Sequence, residues 1–215
     1  MRKYVCFDSV RSDQDLDLYL GSVSVGSPAV RSNYIDIPGA DGLLDLSEAL
    51  GGVTYGSREI MLSFGRAIYD RYQQDAVVKN ALHGKRMKIT LSEDPSHYFV
   101  GRVSVGEWQR VNGVGHVDIS ATCDPYRYKA APTTVTGTVP ESGTLSLTLA
   151  NERRPVVPTV EVSAAATLTF GGKDIAVAAG SHRSLDIRLA AGSNTLAVTA
   201  AAGTTVSVTY QEASL

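Results

Sequence analysis

Of the 215 residues, 43% are apolar and 20% charged, with 20 basic against 22 acidic side chains for a net charge of −2. That content supports one or two hydrophobic cores of about 100 to 130 residues each and excludes disorder as the main state. The balance gives no basic footprint for gripping nucleic acid, no apolar run approaches the roughly eighteen residues of a membrane span, and two cysteines cannot make a disulfide framework.

The opening, MRKYVCFDSVRSD, has no apolar stretch before Asp8 and Asp13 and does not read as a secretory signal. Residues 1–130 hold 13 of the 15 aromatics and 31 of the 42 charged groups. Beyond Ala130-Ala131-Pro132 the only aromatics are Phe170 and Tyr210, and Ala, Thr, Val, Ser and Gly dominate. Two domains are therefore expected, 1–130 and 131–215, joined at that short linker.

In the first domain Leu16, Leu18 and Leu20 alternate with Asp15, Asp17 and Tyr19, which predicts a half-buried strand with its aspartates facing out. Asp13, Asp15 and Asp17 open like a calcium loop, but Leu16, Leu18 and the missing glycine break that pattern. Ser57 to Phe64 and Arg86 to Leu91 predict further strands. Between them Ile68 to His83 reads as the one long helix, with Ile68, Tyr72 and Ala76 stepping by four, Val78, Ala81 and Leu82 extending the apolar side, and Gly84 closing the end. Val100 to Val111 and Val114 to Cys123 flank Asn112-Gly113, the strongest hairpin signal in the chain.

The second domain reads as short strands at about ten-residue spacing: Thr144–Leu149, Thr159–Ser163, Thr167–Phe170, Asp174–Val177, Ser184–Leu189, Thr195–Thr199 and Thr205–Tyr210. Gly171-Gly172, Ala179-Gly180, Gly192-Ser193-Asn194 and Ala202-Gly203 supply turns. The expectation is an antiparallel sandwich or jelly roll.

Chemistry is sparse. His83, His97, His116 and His182 form no i, i+4 pair, and neither cysteine has a CxxC partner, so no metal site is expected. His83, beside Gly84, suits the last helix carbonyls as a cation or donor. Cys123 falls in a buried alternation with Val117, Ile119 and Ala121, and Cys6 lies in a strand; neither reads as a catalytic thiol, and a disulfide between them stays open. No GxSxG, Walker or Rossmann pattern occurs, and Glu93-Asp94-Pro95 reads as a turn. No catalytic residue and no cofactor is expected. Phe170 and Tyr210 read as packing residues; Trp108 fits packing better than an exposed sugar platform.

One segment follows neither period: Ile35 to Phe64, IDIPGADGLLDLSEALGGVTYGSREIMLSF, a long excursion punctuated by glycines. Its IPG-x-DG-x-LDL pattern (Ile37 to Gly42, then Leu44 to Leu46) and Tyr-Gly-x-Arg (Tyr55 to Arg58) resemble the distal tail protein (Dit) family of long-tailed, non-contractile bacteriophages. The resemblance continues through His83-Gly84-Lys85 and Ile89, Glu93 to Arg102, Asp124 to Tyr128, Asn151, Pro155 and Pro158, and Gly192 to Thr195. It covers nearly the whole chain. Ala40 stands where the family often has a basic or polar residue, and the compact second domain leaves no room for an inserted carbohydrate-binding module.

The resemblance implies a mainly β protein: a tail-tube-like β-sandwich with one helix and a hairpin, then a galectin-like antiparallel β-sandwich. It implies a homo-hexameric ring at the tail tip of the virion, assembled in the host cytoplasm. That ring joins the tail tube protein to the tail-associated or baseplate hub and to receptor-binding protein, and DNA passes its lumen unbound. Pro38 to Tyr55 is then the expected contact arm, with Pro38, Gly39 and Gly42 shaping it, Asp41 and Asp45 as polar anchors, and Leu43, Leu44 and Leu46 as apolar ones. The same segment also reads as a loop folded over its own core. Arg58 is expected either to pair with an acid at the loop base or to lie solvated on a strand. The rival functions are a carbohydrate-binding adhesion module, a main tail-tube subunit and a wall hydrolase.

Overall fold

A computed structural model describes residues 3–49, 51–67, 71–111 and 113–215. Those residues are mainly β, with one helix. The chain divides into two compact units, residues 1–127 with Leu215 and residues 128–214.

The first unit contains, in chain order, β1 (Val5–Phe7), β2 (Val10–Arg11), β3 (Tyr19–Val25), β4 (Val30–Arg31), β5 (Tyr34–Asp36), β6 (Leu43–Asp45), β7 (Thr54–Tyr55) and β8 (Arg58–Ala67). Helix α1 (Arg71–Leu82) follows, then β9 (Arg86–Leu91), β10 (His97–Val111) and β11 (Val114–Cys123). Seven of these strands form one antiparallel sheet in the order β2-β1-β9-β10-β11-β8-β3. Strict alternation along β8 and β11 sends Ile60, Leu62, Phe64, Val117, Ile119 and Ala121 to one buried face. Val78 and Leu82, four apart on α1, join that core with no exposed surface.

Trp108 reaches the same core through a register shift. Three steps along β10, from Val105 to Trp108, oppose two along β11, from Ile119 to Val117. This bulge turns the ring inward, and Trp108 is 6% exposed. Gly106 sits within it, where a Cβ would lie 2.8 Å from the Asp118 carbonyl oxygen.

The helix keeps its expected face only in part. Val78 and Leu82 are buried and Ala81 half-buried, as expected, but Ala76 on the same expected side is exposed, and Ile68 and the Tyr72 side chain lie outside what is described. His83 does not serve the helix end either: its Nδ1 accepts a hydrogen bond from the Val105 amide at 3.0 Å. Lys85 takes that role, its Nζ donating to the Asn80 and Ala81 carbonyls at 2.8 and 2.9 Å. Gly84 ends the helix at φ +76°, and Gly113 has φ +81° in the β10–β11 turn, whose Asn112 lies outside the described residues.

The strand expected through Asp15 to Leu20 begins only at Tyr19. Residues 12–16 turn because polar side chains capture backbone donors: Asp15 accepts from the Arg11 amide, Ser12 accepts from the Val5 amide, and Arg11 forks onto Asp13. Leu16 and Leu18 are buried all the same, at 4% and 0% exposed, so the alternation reported burial and not pairing.

After β12 (Arg127–Lys129), the second unit holds β13 (Thr133–Thr138), β14 (Thr144–Asn151), β15 (Thr159–Val162), β16 (Ala166–Phe170), β17 (Lys173–Val177), β18 (Gly180–His182), β19 (Gly192–Ala200), β20 (Thr205–Tyr210) and β21 (Ala213–Ser214). Two four-stranded antiparallel sheets, β13-β20-β15-β18 and β14-β19-β16-β17, contribute to one cluster that includes Leu149, Leu168, Leu196, Val198, Val206 and Val208. Gly171-Gly172 makes the two-residue turn between β16 and β17, both at positive φ as such turns require. Ser184 to Leu189, expected as a strand, is a turn: the Ile187 amide donates to the Ser184 carbonyl, and only Leu189 bridges, to Val156. Ile187 and Leu189 are nevertheless buried. Gly192 to Asn194, expected as a turn, pairs within β19 against Leu149 to Asn151.

A buried carboxylate pairs with a half-buried lysine in this unit. Glu212, 5% exposed, accepts from Lys129 Nζ at 2.6 Å and from the Thr133 hydroxyl. Burial pushes the Glu212 carboxyl up, but the Lys129 and Thr133 hydrogen bonds outweigh it and hold the carboxyl below its ordinary value. The Glu212 bond raises Lys129 in turn. A depressed acid contributes stability above its unfolded value, about 4.5, and loses it as pH falls through the folded value; the raised lysine loses its share as pH climbs past its own. Glu212→Gln should therefore lower the stability of this unit by about 1.5 kcal/mol at neutral pH. It should also flatten the acid dependence below pH 5, read by denaturant unfolding at several pH values.

Candidate functional site

The segment expected to be irregular is a β-ribbon. Val30 and Arg31 of β4 pair with Tyr55 and Thr54 of β7, and Tyr34, Ile35 and Asp36 of β5 pair with Asp45, Leu44 and Leu43 of β6. Neither two-stranded sheet joins the large one. Short antiparallel pairings satisfy the backbone here, and runs of two or three residues are too brief to leave a period in the sequence. The tip turns at Pro38 to Gly42, with Gly39 and Gly42 at φ +86° and +81°.

The arm does not bury its apolar side chains. Every residue from Ala29 to Asp45 is exposed; Val30, Tyr34 and Leu43 keep 56, 55 and 62% of their surface. Alternation places Ile35, Ile37 and Leu44 on one face, and Tyr34, Asp36, Leu43 and Asp45 on the other. Exposed apolar side chains therefore lie on both faces of the ribbon. Its acids Asp36, Asp41, Asp45 and Glu48 face only Arg31 in opposite charge.

The expected site residues divide between tip and base. Pro38, Gly39, Asp41, Gly42, Leu43, Leu44 and Asp45 lie together at the tip. Asp45 closes the return turn, accepting from the Ser47 amide at 2.8 Å and from its hydroxyl, and these bonds hold its carboxyl below the ordinary range. Asp41 makes no hydrogen bond or ion pair among the described residues. Leu46 is half-buried, and its amide donates to Asn33 at 2.8 Å. Tyr55 anchors the base, meeting Tyr126 edge-on at 6.1 Å and 82°.

Arg58 has no ion pair among the described residues and lies mostly buried. It is 6% exposed, and among the described residues its Nε meets no acceptor and its guanidinium no carboxylate. Strand β8 sets it opposite Cys123, with its guanidinium 5.4 Å from the Phe99 ring centroid. Burial, then the like charge of Arg127, lowers its pKa, against a smaller opposing effect of Cys123. The nearby acids are engaged elsewhere: Asp94 with His97 and Arg127, and Asp124 with Arg86 at 2.7 Å. The alternation Arg58, Ile60, Leu62 already placed the arginine on the buried face of β8, against the general preference of arginine for solvent.

The remaining candidates are quiet. Burial pushes the Cys123 thiol up to about 11, so it stays protonated near neutrality; Cys6 is raised by burial too, and both are free. Among the described residues no three metal-ligating side chains cluster, and no helix is long and apolar enough to cross a membrane. Tyr210 is packed, its hydroxyl donating to the Ala150 carbonyl. A groove of about 480 Å³ on the second unit is lined by Thr136, Thr138, Glu161, Ser163, Thr205 and Ser207, with no aromatic ring.

No known protein family's sequence profile matches the chain, and no curated protein sequence does. A solved structure does: the Dit protein of phage SPP1, superposing over 98% of this chain and 99% of that one with a TM-score of 0.65 at 16% identity. The chain has a Dit-like fold. That protein is described as a paradigm of the hub of the adsorption apparatus in phages infecting Gram-positive bacteria. A conserved Pseudomonas aeruginosa protein of unknown function aligns over 89% of this chain at 12% identity, but its TM-score of 0.28 supports no shared fold. The Dit likeness spans both units, consistent with the mainly β architecture of the described residues.

Proposed function

We propose that the protein is a structural hub of a bacteriophage tail tip, a component of the virion with no catalytic role. The observation that carries this reading is the end-to-end Dit-like fold, 98% of one chain on 99% of the other. Six copies close into a ring that joins the tail tube to the tail-associated or baseplate proteins and to receptor-binding protein. The first domain, 1–130, forms the ring, and the second, 131–215, is a galectin-like sandwich. DNA crosses the central channel without being held, which suits a net charge of −2.

The arm from Pro38 to Tyr55 is the subunit contact in this reading. A closed ring needs a heterologous interface, one patch of each copy meeting a different patch of the next, and a projecting ribbon with exposed apolar side chains provides one such patch. Immunogold labelling of phage particles with antibody against this protein should place label at the distal end of the tail. Label along the tube, on the capsid or nowhere on the particle would contradict the assignment.

A further inference from the structure

Arg58 presents a physical problem that the free chain leaves unsolved. A guanidinium stays charged at any ordinary pH, so it cannot escape burial by losing its proton. A buried charge without a partner is strongly unfavourable, and protein interiors nearly always supply one. Here the like charge of Arg127 lies close by, Asp94 pairs with Arg127, Asp124 pairs with Arg86, and the Phe99 ring offers only its face.

We infer that Arg58 is a carboxylate socket filled on assembly by Asp41 from the arm of a second copy of this chain. The inference rests on the self-association proposed above. Asp36, Asp41 and Glu48 are all exposed without a side-chain partner among the described residues, and Asp45 is held by Ser47; of these Asp41 alone sits on the tip turn, between Gly39 and Gly42, where a second copy meets it first. Its own arm does not deliver it. Arg58 follows three residues after Tyr55 at the ribbon base, whereas Asp41 lies on the turn beyond the separate β5–β6 pair, up to about 20 Å further along the ribbon. A tip seated at the base of the next copy makes a head-to-tail contact, in which each copy gives one arm and receives another.

The test compares the full chain with Arg58→Met, Asp41→Asn and the double variant. Association is read by sedimentation equilibrium, and stability of the dilute monomer by Trp108 fluorescence. Methionine keeps the packed stem and removes the charge, so monomeric Arg58→Met should melt at or above the wild type. Asp41→Asn should melt with the wild type. Each single change should weaken association by about tenfold or more, and the double no further than either alone. A lower melting point for Arg58→Met would give the arginine a role inside its own fold and overturn the inference. So would wild-type association of Asp41→Asn; in that case acetate stabilising the wild type but not Arg58→Met would identify a solvent anion as the ligand. A wild-type chain that stays monomeric removes the hub reading as well, whereas equal association of all four chains removes only the socket.

Discussion

Replacing residues 34–45 by a two-residue Asn-Gly turn should leave a folded protein that no longer self-associates. The cut is conservative for the fold, because the Leu46 amide already donates to the Asn33 carbonyl, so the two ends face each other across the ribbon. Asn-Gly suits a junction of that kind. Everything removed is exposed in the free chain, so little core is lost, and the melting point read through Trp108 should stay within about 3 °C of the wild type. Association should fall by about a hundredfold or more. Tyr34, Ile35, Ile37, Leu43 and Leu44 leave together, and burying even two such side chains in a partner is worth about 3 kcal/mol. Sedimentation of the trimmed and intact chains at equal concentration reads the difference, and equal association would show that the arm is not the contact.

Gly101→Ala should destabilise the first unit by about 3 kcal/mol or more, the largest single-residue effect on stability expected in this chain. Gly101 lies in β10 between Met87 of β9 and Cys123 of β11. A Cβ there would overlap the Cys123 Sγ and lie 2.8 Å from both the Cys123 Cα and the Thr122 carbonyl oxygen. Two of those three atoms are backbone in a central strand, so relief requires the sheet to separate. Cys123→Ala in the same chain should therefore rescue only partly. Gly52→Ala is the control, since nothing lies within 4 Å of its Cβ position, and it should change stability by less than about 0.5 kcal/mol. Trp108 is the single tryptophan and is buried in the first unit, so denaturant unfolding followed by its fluorescence reports on that unit without interference from the second.

Long alternations were legible in the sequence. The β8 run through Ile60, Leu62 and Phe64 and the β11 run through Val117, Ile119 and Ala121 each alternate over several turns of the pleat, and both are strands with that face buried. Short alternations were not. Leu16 and Leu18, or Ile187 and Leu189, are buried in the expected sense yet lie outside the strands, because two apolar residues spaced by two do not distinguish a strand from a loop pinned over a core. Register shifts leave no sequence signal either, and the extra residue between Val105 and Trp108 decided which way the indole points.

The candidate site was legible as a place and not as an architecture. Glycine punctuation between Ile37 and Gly52 marked an excursion from the sheet, but the pairing of residues 30–36 with 43–55 depends on partners that brief runs do not announce. Arg58 alternates with Ile60 and so shares its buried face, a signal present in the sequence that was outweighed by the general preference of arginine for solvent.

The central claim is closure into a six-membered ring, and the mass of the purified full chain tests it most directly. Sedimentation equilibrium or native mass spectrometry should find a species of six times the 22.8 kDa chain, and electron micrographs of that fraction should show annuli with a central opening. A chain that remains at 22.8 kDa across the concentration range, alone and mixed with the products of neighbouring genes, would contradict the account.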